Sequence, residues 1–195
     1  MNQKKFLIAI FSIFIIPLLS GCTTNDTNND SNNEDWLTNY SPVHTVGNGT
    51  DDFWVDYPSD NPNSSQSVAH LPWVNESLQK GCMFFVVHIT GCVSCQPQAD
   101  RVIELADKYK EHVIFHDLDV ALGGSVEKKS YEAYLYDPDG SPGIIALTGV
   151  FTLVEQNGSI VYGWHSWEQD VDFKEMEEWV KDGIYYWYEN SGRIK

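Results

Sequence analysis

The sequence predicts an α/β fold, a mixed central sheet with helices on both faces. Three observations carry that prediction. The run CMFFVVHI, Cys82 to Ile89, is almost continuously apolar and of strand length, which suits a central strand buried on both faces. Gln156-Asn157-Gly158 stands between the apolar runs Gly149 to Val154 and Ile160 to Trp164, and Asn-Gly in that setting is the strongest short hairpin signal. Phe173, Met176, Trp179, Val180 and Ile184 recur at helical spacing and mark a final amphipathic helix.

The remaining elements fall between these. Trp73 to Gln79 reads as a short helix that starts near Asn75 and stops at Gly81. Ala99, Val102, Ile103, Leu105 and Ala106 give a helix that continues to Lys110. VIFHDL, Val113 to Leu118, is a second strand, and Val126 to Tyr136 is a further helix. The resulting order is helix, strand, helix, strand, helix, hairpin, helix, which calls for a mixed sheet covered on both sides.

A chain of 195 residues holds one ordinary domain plus appended sequence. With 42% hydrophobic and 13% aromatic residues it has the apolar content to fold. Its formal net charge of -16, from 28 acids against 12 bases, argues against a nucleic-acid partner, because nothing neutralises phosphates in bulk. Lys4 and Lys5 precede the apolar run Phe6 to Leu19, which as a helix spans about 21 Å, short of a membrane's hydrocarbon core of roughly 30 Å. That length reads as a signal peptide over residues 1–21. The run ends in Leu19-Ser20-Gly21-Cys22, and these four residues resemble the lipobox of prokaryotic lipoproteins. The resemblance implies that cleavage leaves Cys22 at the new N-terminus as a lipid anchor, with the rest of the chain on the outer face of the cytoplasmic membrane. Residues 22–35 include Thr23 to Asp35, which has no apolar side chain and reads as a flexible tether. Residues 36–67, rich in Asn, Asp, Ser and Pro around Phe53-Trp54-Val55-Asp56-Tyr57, read as an irregular extension packed on the domain of residues 68–190.

The segment HITGCVSCQ sets Cys92 and Cys95 three residues apart between a strand and a helix. At a helix N-terminus the unpaired amides and the macrodipole favour a thiolate. Lowering a thiol pKa from about 8.5 to about 7 raises the thiolate fraction at neutral pH from about 3% to about 50%. Cys92 is then the expected nucleophile, with Cys95 one turn away to resolve a mixed disulfide. With FFVVHITGCVSCQ leading into the pair, VIFHDLDV as the next strand and GVFTLVEQNGSIVYGW as the terminal hairpin, the chain from Val68 to Tyr188 resembles the thioredoxin family. The resemblance implies a three-layer sandwich, with Cys92 attacking and Cys95 resolving.

Three positions depart from that family's pattern. Val93-Ser94 stands where Gly-Pro is usual, Val86 stands at the place of the buried acid, and Phe151 at that of the cis-proline. A cis bond before a residue other than proline costs about 3 kcal/mol, so the peptide before Phe151 is expected to be trans. Val150 and Phe151 are the substrate-docking candidates that the alignment supplies. Trp164, His165 and Trp167 are expected near the cysteines, either as a recognition rim or as cover for the disulfide. His88 reads as a proton relay or as a structural strand-end residue, and Cys82 as a small apolar core residue.

Three functions are open to this pattern. The first is a lipid-anchored, extracytoplasmic thiol-disulfide oxidoreductase, whose partners are exported protein thiols or disulfides, or a membrane redox partner. The second is a binding module with a structural disulfide. The third is a copper or zinc protein in which His165 or His88 joins the two sulfurs. No separate cofactor is expected, since no Gly-rich phosphate loop is present, nor is there a Ser-His-Asp set. Glu175, Glu177 and Glu178 read as a solvated helix face.

Overall fold

The apolar run at residues 82–89 forms the strand β3 (Cys82–His88), buried at every position. The computed structural model describes residues 35–192 apart from Pro142, Ile144 and Gln169; the expected leader, Cys22 and nearly all of the tether lie outside the described residues. Among the described residues no helix is long and apolar enough to cross a membrane.

In chain order the elements are α1 (Asp35–Thr38), β1 (Thr45–Gly47), β2 (Asp52–Trp54), α2 (Pro72–Leu78), β3, α3 (Gln96–Lys108), β4 (Val113–Asp119), α4 (Gly124–Ala133), β5 (Leu147–Gln156), β6 (Ser159–Trp167) and α5 (Phe173–Ser191). The six strands lie in the order β1-β2-β6-β5-β3-β4. β3 pairs in parallel with β4 and antiparallel with β5, so the sheet is mixed as expected. β5 and β6 form the predicted hairpin, and Asn157 and Gly158 close it with φ of 52° and 79°. A turn with two left-handed residues matches the twist of the strands, which is why Asn-Gly signals it.

Alternation along the strands sorts the core into two layers. Phe84, Val86 and Val150 point to one face and pack with Val102 and Leu105 of α3 and with Met176, Trp179 and Ile184 of α5. Met83, Phe85, Val87, Phe151 and Trp164 point to the other and meet Val74 and Leu78 of α2 and Ala133 of α4. Each such side chain contributes about 1.5–3 kcal/mol by leaving water. A three-layer α/β sandwich results, the architecture that the resemblance implies. α5 lies so close to the sheet that a Cβ on Gly183 would sit 2.8 Å from Val150 and 3.0 Å from the Cys82 sulfur.

The segment 36–67 packs on the domain through Phe53, Trp54 and Tyr57 and is largely irregular, with two short strands in it. It adds β1 and β2 to the sheet edge, and Phe53 is fully buried in the core beside α5. The fully buried Asp182 of α5 clamps it, accepting from the Tyr40 hydroxyl at 2.5 Å, the amides of Val43 and His44 at 3.1 and 2.7 Å, and His44 Nδ1 at 2.7 Å.

Candidate functional site

Cys92 and Cys95 are joined as a disulfide with Cα atoms 5.4 Å apart. The turn that carries them begins where β3 ends. The Thr90 amide donates to Asp119 Oδ1 at 3.0 Å, and its hydroxyl bonds Asp119 Oδ2. Asp119 also accepts from the Ala121 amide at 2.9 Å, so one buried carboxylate ties the end of β4 to the entry of the cysteine turn. Burial works to raise its pKa, but the Thr90 and Ala121 donors and nearby His88 outweigh it and hold the carboxyl below its ordinary range. Gly91, at φ 86°, then turns the chain into the pair.

α3 starts directly after Cys95, and Pro97 falls in its first turn, where a missing amide proton costs nothing. Cys92 lies one turn ahead of the helix: its carbonyl accepts from the amides of Cys95 and Gln96 at 3.2 and 3.1 Å. The Cys95 amide is also 3.3 Å from Cys92 Sγ, and the Ser94 hydroxyl is 3.5 Å from it. These donors point at the atom that becomes a thiolate on reduction. Exposure separates the two cysteines, since Cys92 is half-buried while Cys95 is 2% exposed. Val93 between them is 90% exposed.

The residues expected around the pair are placed differently. β5 begins at Leu147, earlier than the Gly149 start read from the sequence, so Phe151 sits in mid-strand on the α2–α4 face, away from the layer that holds Cys95. Ile145 and Ala146, at the end of the preceding loop, are the residues packed in the cysteines' layer, and the cis peptide lies between them. Val150 and Trp164 are fully buried, which removes both from a recognition surface. His165 is 4% exposed; its ring stacks 3.7 Å from that of Trp179, and its Nδ1 proton goes to the Asp52 carbonyl at 2.9 Å. Trp167 is half-buried and is the one member of that set at the surface. His88 donates Nε2 to Asp117 Oδ1 at 2.7 Å across β3 and β4. Among the described residues, neither His88 nor His165 groups with the sulfurs as a metal-ligand set. Cys82 is buried and free, and burial drives its thiol pKa far up, as suits a core residue. Gln98 was not foreseen: buried in α3, it donates to Thr148 Oγ1 at 3.1 Å and accepts from the Val171 amide at 2.9 Å, fixing the helix against β5.

Burial lowers the pKa of three histidines, His70 and His116 to about 4 and His165 to about 3. A folded value below the unfolded one of about 6.5 means that the unfolded chain binds more protons in between. The neutral histidines therefore stabilise fully above about pH 6.5, and that contribution is lost as pH falls toward 4. Asp137, raised to about 7 by burial first and then by Glu168, acts in the opposite sense. A variant isolates the histidine effect: His116→Gln is expected to shrink the stability difference between pH 7 and pH 5 by on the order of 1–2 kcal/mol in urea unfolding. An unchanged difference would show that His116 titrates normally.

A cleft of about 430 Å³ opens near the C-terminal end of β6, lined by His165, Trp167, Asp139 and Glu168 among others, and the cysteines are not part of its wall. Compared with known proteins, the chain finds no match: no family model, no curated protein and no solved structure.

Proposed function

We propose that the chain is a lipid-anchored, extracytoplasmic thiol-disulfide oxidoreductase of the thioredoxin-like kind, working through Cys92 and Cys95. The observation that supports it is the asymmetry of the pair. Cys92 is half-buried with its sulfur facing the Cys95 amide, and Cys95 is buried directly before a helix. In the reducing direction the Cys92 thiolate attacks a disulfide of an exported protein, forming a mixed disulfide and expelling one substrate thiolate. The Cys95 thiolate then attacks Cys92 Sγ, closes the internal disulfide and releases the second substrate thiolate. Two electrons leave the dithiol for the substrate, and the two protons of the thiols follow. The reverse sequence oxidises a substrate dithiol. Val93, held out in solvent between the sulfurs, gives a docking polypeptide an apolar contact at the point of attack. Turnover requires a membrane redox partner that resets the pair.

The test is the reduction potential of the full-length protein, equilibrated against glutathione or dithiothreitol series. A reversible two-electron transition between about -120 and -270 mV is expected. A pair that stays oxidised below about -300 mV is a structural staple, and the oxidoreductase reading fails.

A further inference from the structure

His88 carries a buried nitrogen that bonds to nothing. The residue is 5% exposed, and its Nε2 lies 2.7 Å from Asp117 Oδ1. An ionised carboxylate only accepts, so Nε2 holds the proton and, in the neutral ring, Nδ1 is a bare acceptor. That Nδ1 is buried and has no hydrogen-bond partner among the described residues. A buried polar atom left in this way is rare, and a catalytic role is one of the few things that accounts for it.

The register of the sheet puts the ring beside the cysteines. Phe84 and Val86 of β3 face the layer that holds Cys95, and with a strand period of two His88 faces it as well. α3 runs back over the same strands, and its Gln98 bonds Thr148, the residue paired with Val86. Cys95 is three residues nearer the helix start, about 4.5 Å, and His88 two residues farther along β3, about 6.6 Å, so the two stand at one end of the sheet. Ala146, next to the Leu147 that pairs with Val87, packs in the same cluster as Cys95 and falls opposite His88. The charged groups that face the ring are Asp117 and Asp119, both from β4. α3 presents Gln98, Ala99 and Val102 to this layer, and the β5 side presents Ala146 and Thr148.

We propose that His88 is the general base for the resolving step, taking the proton of Cys95, with Asp117 as its positioning residue; this rests on the oxidoreductase reading. A thiol buried in apolar surroundings ionises reluctantly, so reduced Cys95 needs an acceptor for its proton. The oxidised pair has no such proton, and Nδ1 accordingly has no donor; reduction supplies one. Nδ1 takes the proton, the Cys95 thiolate attacks Cys92 Sγ, the internal disulfide forms and the bond from Cys92 to the substrate sulfur breaks. The pair is oxidised, the substrate disulfide is reduced, and the proton on Nδ1 passes to the leaving thiolate. Asp117, with its side chain 46% exposed, fixes the tautomer through Nε2 and, with Asp119, favours the imidazolium that forms.

The reduced full-length protein is mixed with dithiobis-nitrobenzoate in a stopped-flow instrument, with Cys92→Ser giving the background. The first coloured thiolate reports attack by Cys92 and depends on reagent concentration; the second reports closure by Cys95 and does not. His88→Gln, which still donates to Asp117 but offers no base, is expected to slow the second release at least about tenfold at pH 7 and leave the first within about twofold. The deficit should narrow as pH rises toward about 10, where hydroxide deprotonates the thiol directly. Asp117→Asn, at a half-exposed site, should slow the second release about threefold. An unchanged second release in His88→Gln overturns the proposal, and so does an equal slowing of both releases at every pH, which means a structural role. If His88→Gln does not fold, Asp117→Asn decides by the same criteria. A parent that shows no concentration-independent release never closes its disulfide from within, and then the oxidoreductase reading itself fails.

Discussion

Asp182→Ala is expected to cost about 3–5 kcal/mol of stability, the usual penalty for removing one side of a buried, fully bonded charged group. The side chain is fully buried and takes every donor that the segment Tyr40–His44 offers it, so truncation strands a hydroxyl, two amides and an imidazole at once. Asp182→Asn is the more diagnostic change. It keeps the volume, but its amide group faces donors where a carboxylate oxygen accepted, so it should lose at least half as much. The damage should also have a place. The His44 ring stacks 3.5 Å from Trp179, and Trp179 stacks in turn on His165, so releasing residues 40–44 uncovers α5 and frees β1. Urea unfolding gives the cost, and limited proteolysis should cut first within residues 35–54. If Asp182→Asn unfolds within about 0.5 kcal/mol of the parent and its N-terminal segment stays protected, the clamp carries no weight.

The reason the sequence concealed this clamp lies in how acids are read. Asp182 stands in EMEEWVKDGI, among carboxylates that face solvent, and only its burial under the N-terminal segment distinguishes it. Glu177, taken with its neighbours as solvated, likewise bonds the Lys108 ammonium and the Tyr109 hydroxyl at 2.6 Å each, joining α3 to α5. By contrast β3, β4 and the hairpin were legible, since a continuous apolar run and an Asn-Gly turn report local structure without help from distant residues. β1 and β2 were not, because strands of three residues in Asn- and Asp-rich sequence show no period; β1 is held by pairing with β2, and β2 by Phe53 and Trp54 in the core. Gly149 misled for a physical reason. A glycine suggested the strand's edge, but it lies inside β5 because the Phe85 ring of the neighbouring strand fills the space where its Cβ would sit, 2.7 Å away. Reading the strand from Gly149 moved the expected docking position to Phe151, whereas Ala146 occupies the cysteines' layer.

The cysteine pair makes the second large expectation, because its two members should fail in different ways. Cys92→Ser is expected to reduce disulfide exchange to the uncatalysed background, since the remaining sulfur, in Cys95, is buried and no substrate reaches it. Cys95→Ser should keep the first step and lose the second, so mixed disulfides with thiol-bearing partners accumulate and survive non-reducing electrophoresis. In the reduced parent, the amide of Cys95 and the start of α3 stabilise a thiolate on Cys92. Iodoacetamide should therefore label Cys92 about tenfold faster than an ordinary thiol at pH 7, with a pH midpoint below about 8.5. Peptide mapping separates the sites, and buried Cys82 should stay unlabelled until the chain unfolds. Replacing Ser94 by Ala removes the hydroxyl 3.5 Å from Cys92 Sγ and should raise that midpoint slightly, whereas a change at Val93 should alter partner capture without moving it. Equal labelling of Cys92 and Cys95, together with no trapped species in Cys95→Ser, would mean that the helix start does not activate the outer sulfur. The asymmetry of burial would then serve packing alone, and the pair would be a clasp between the β3 turn and α3.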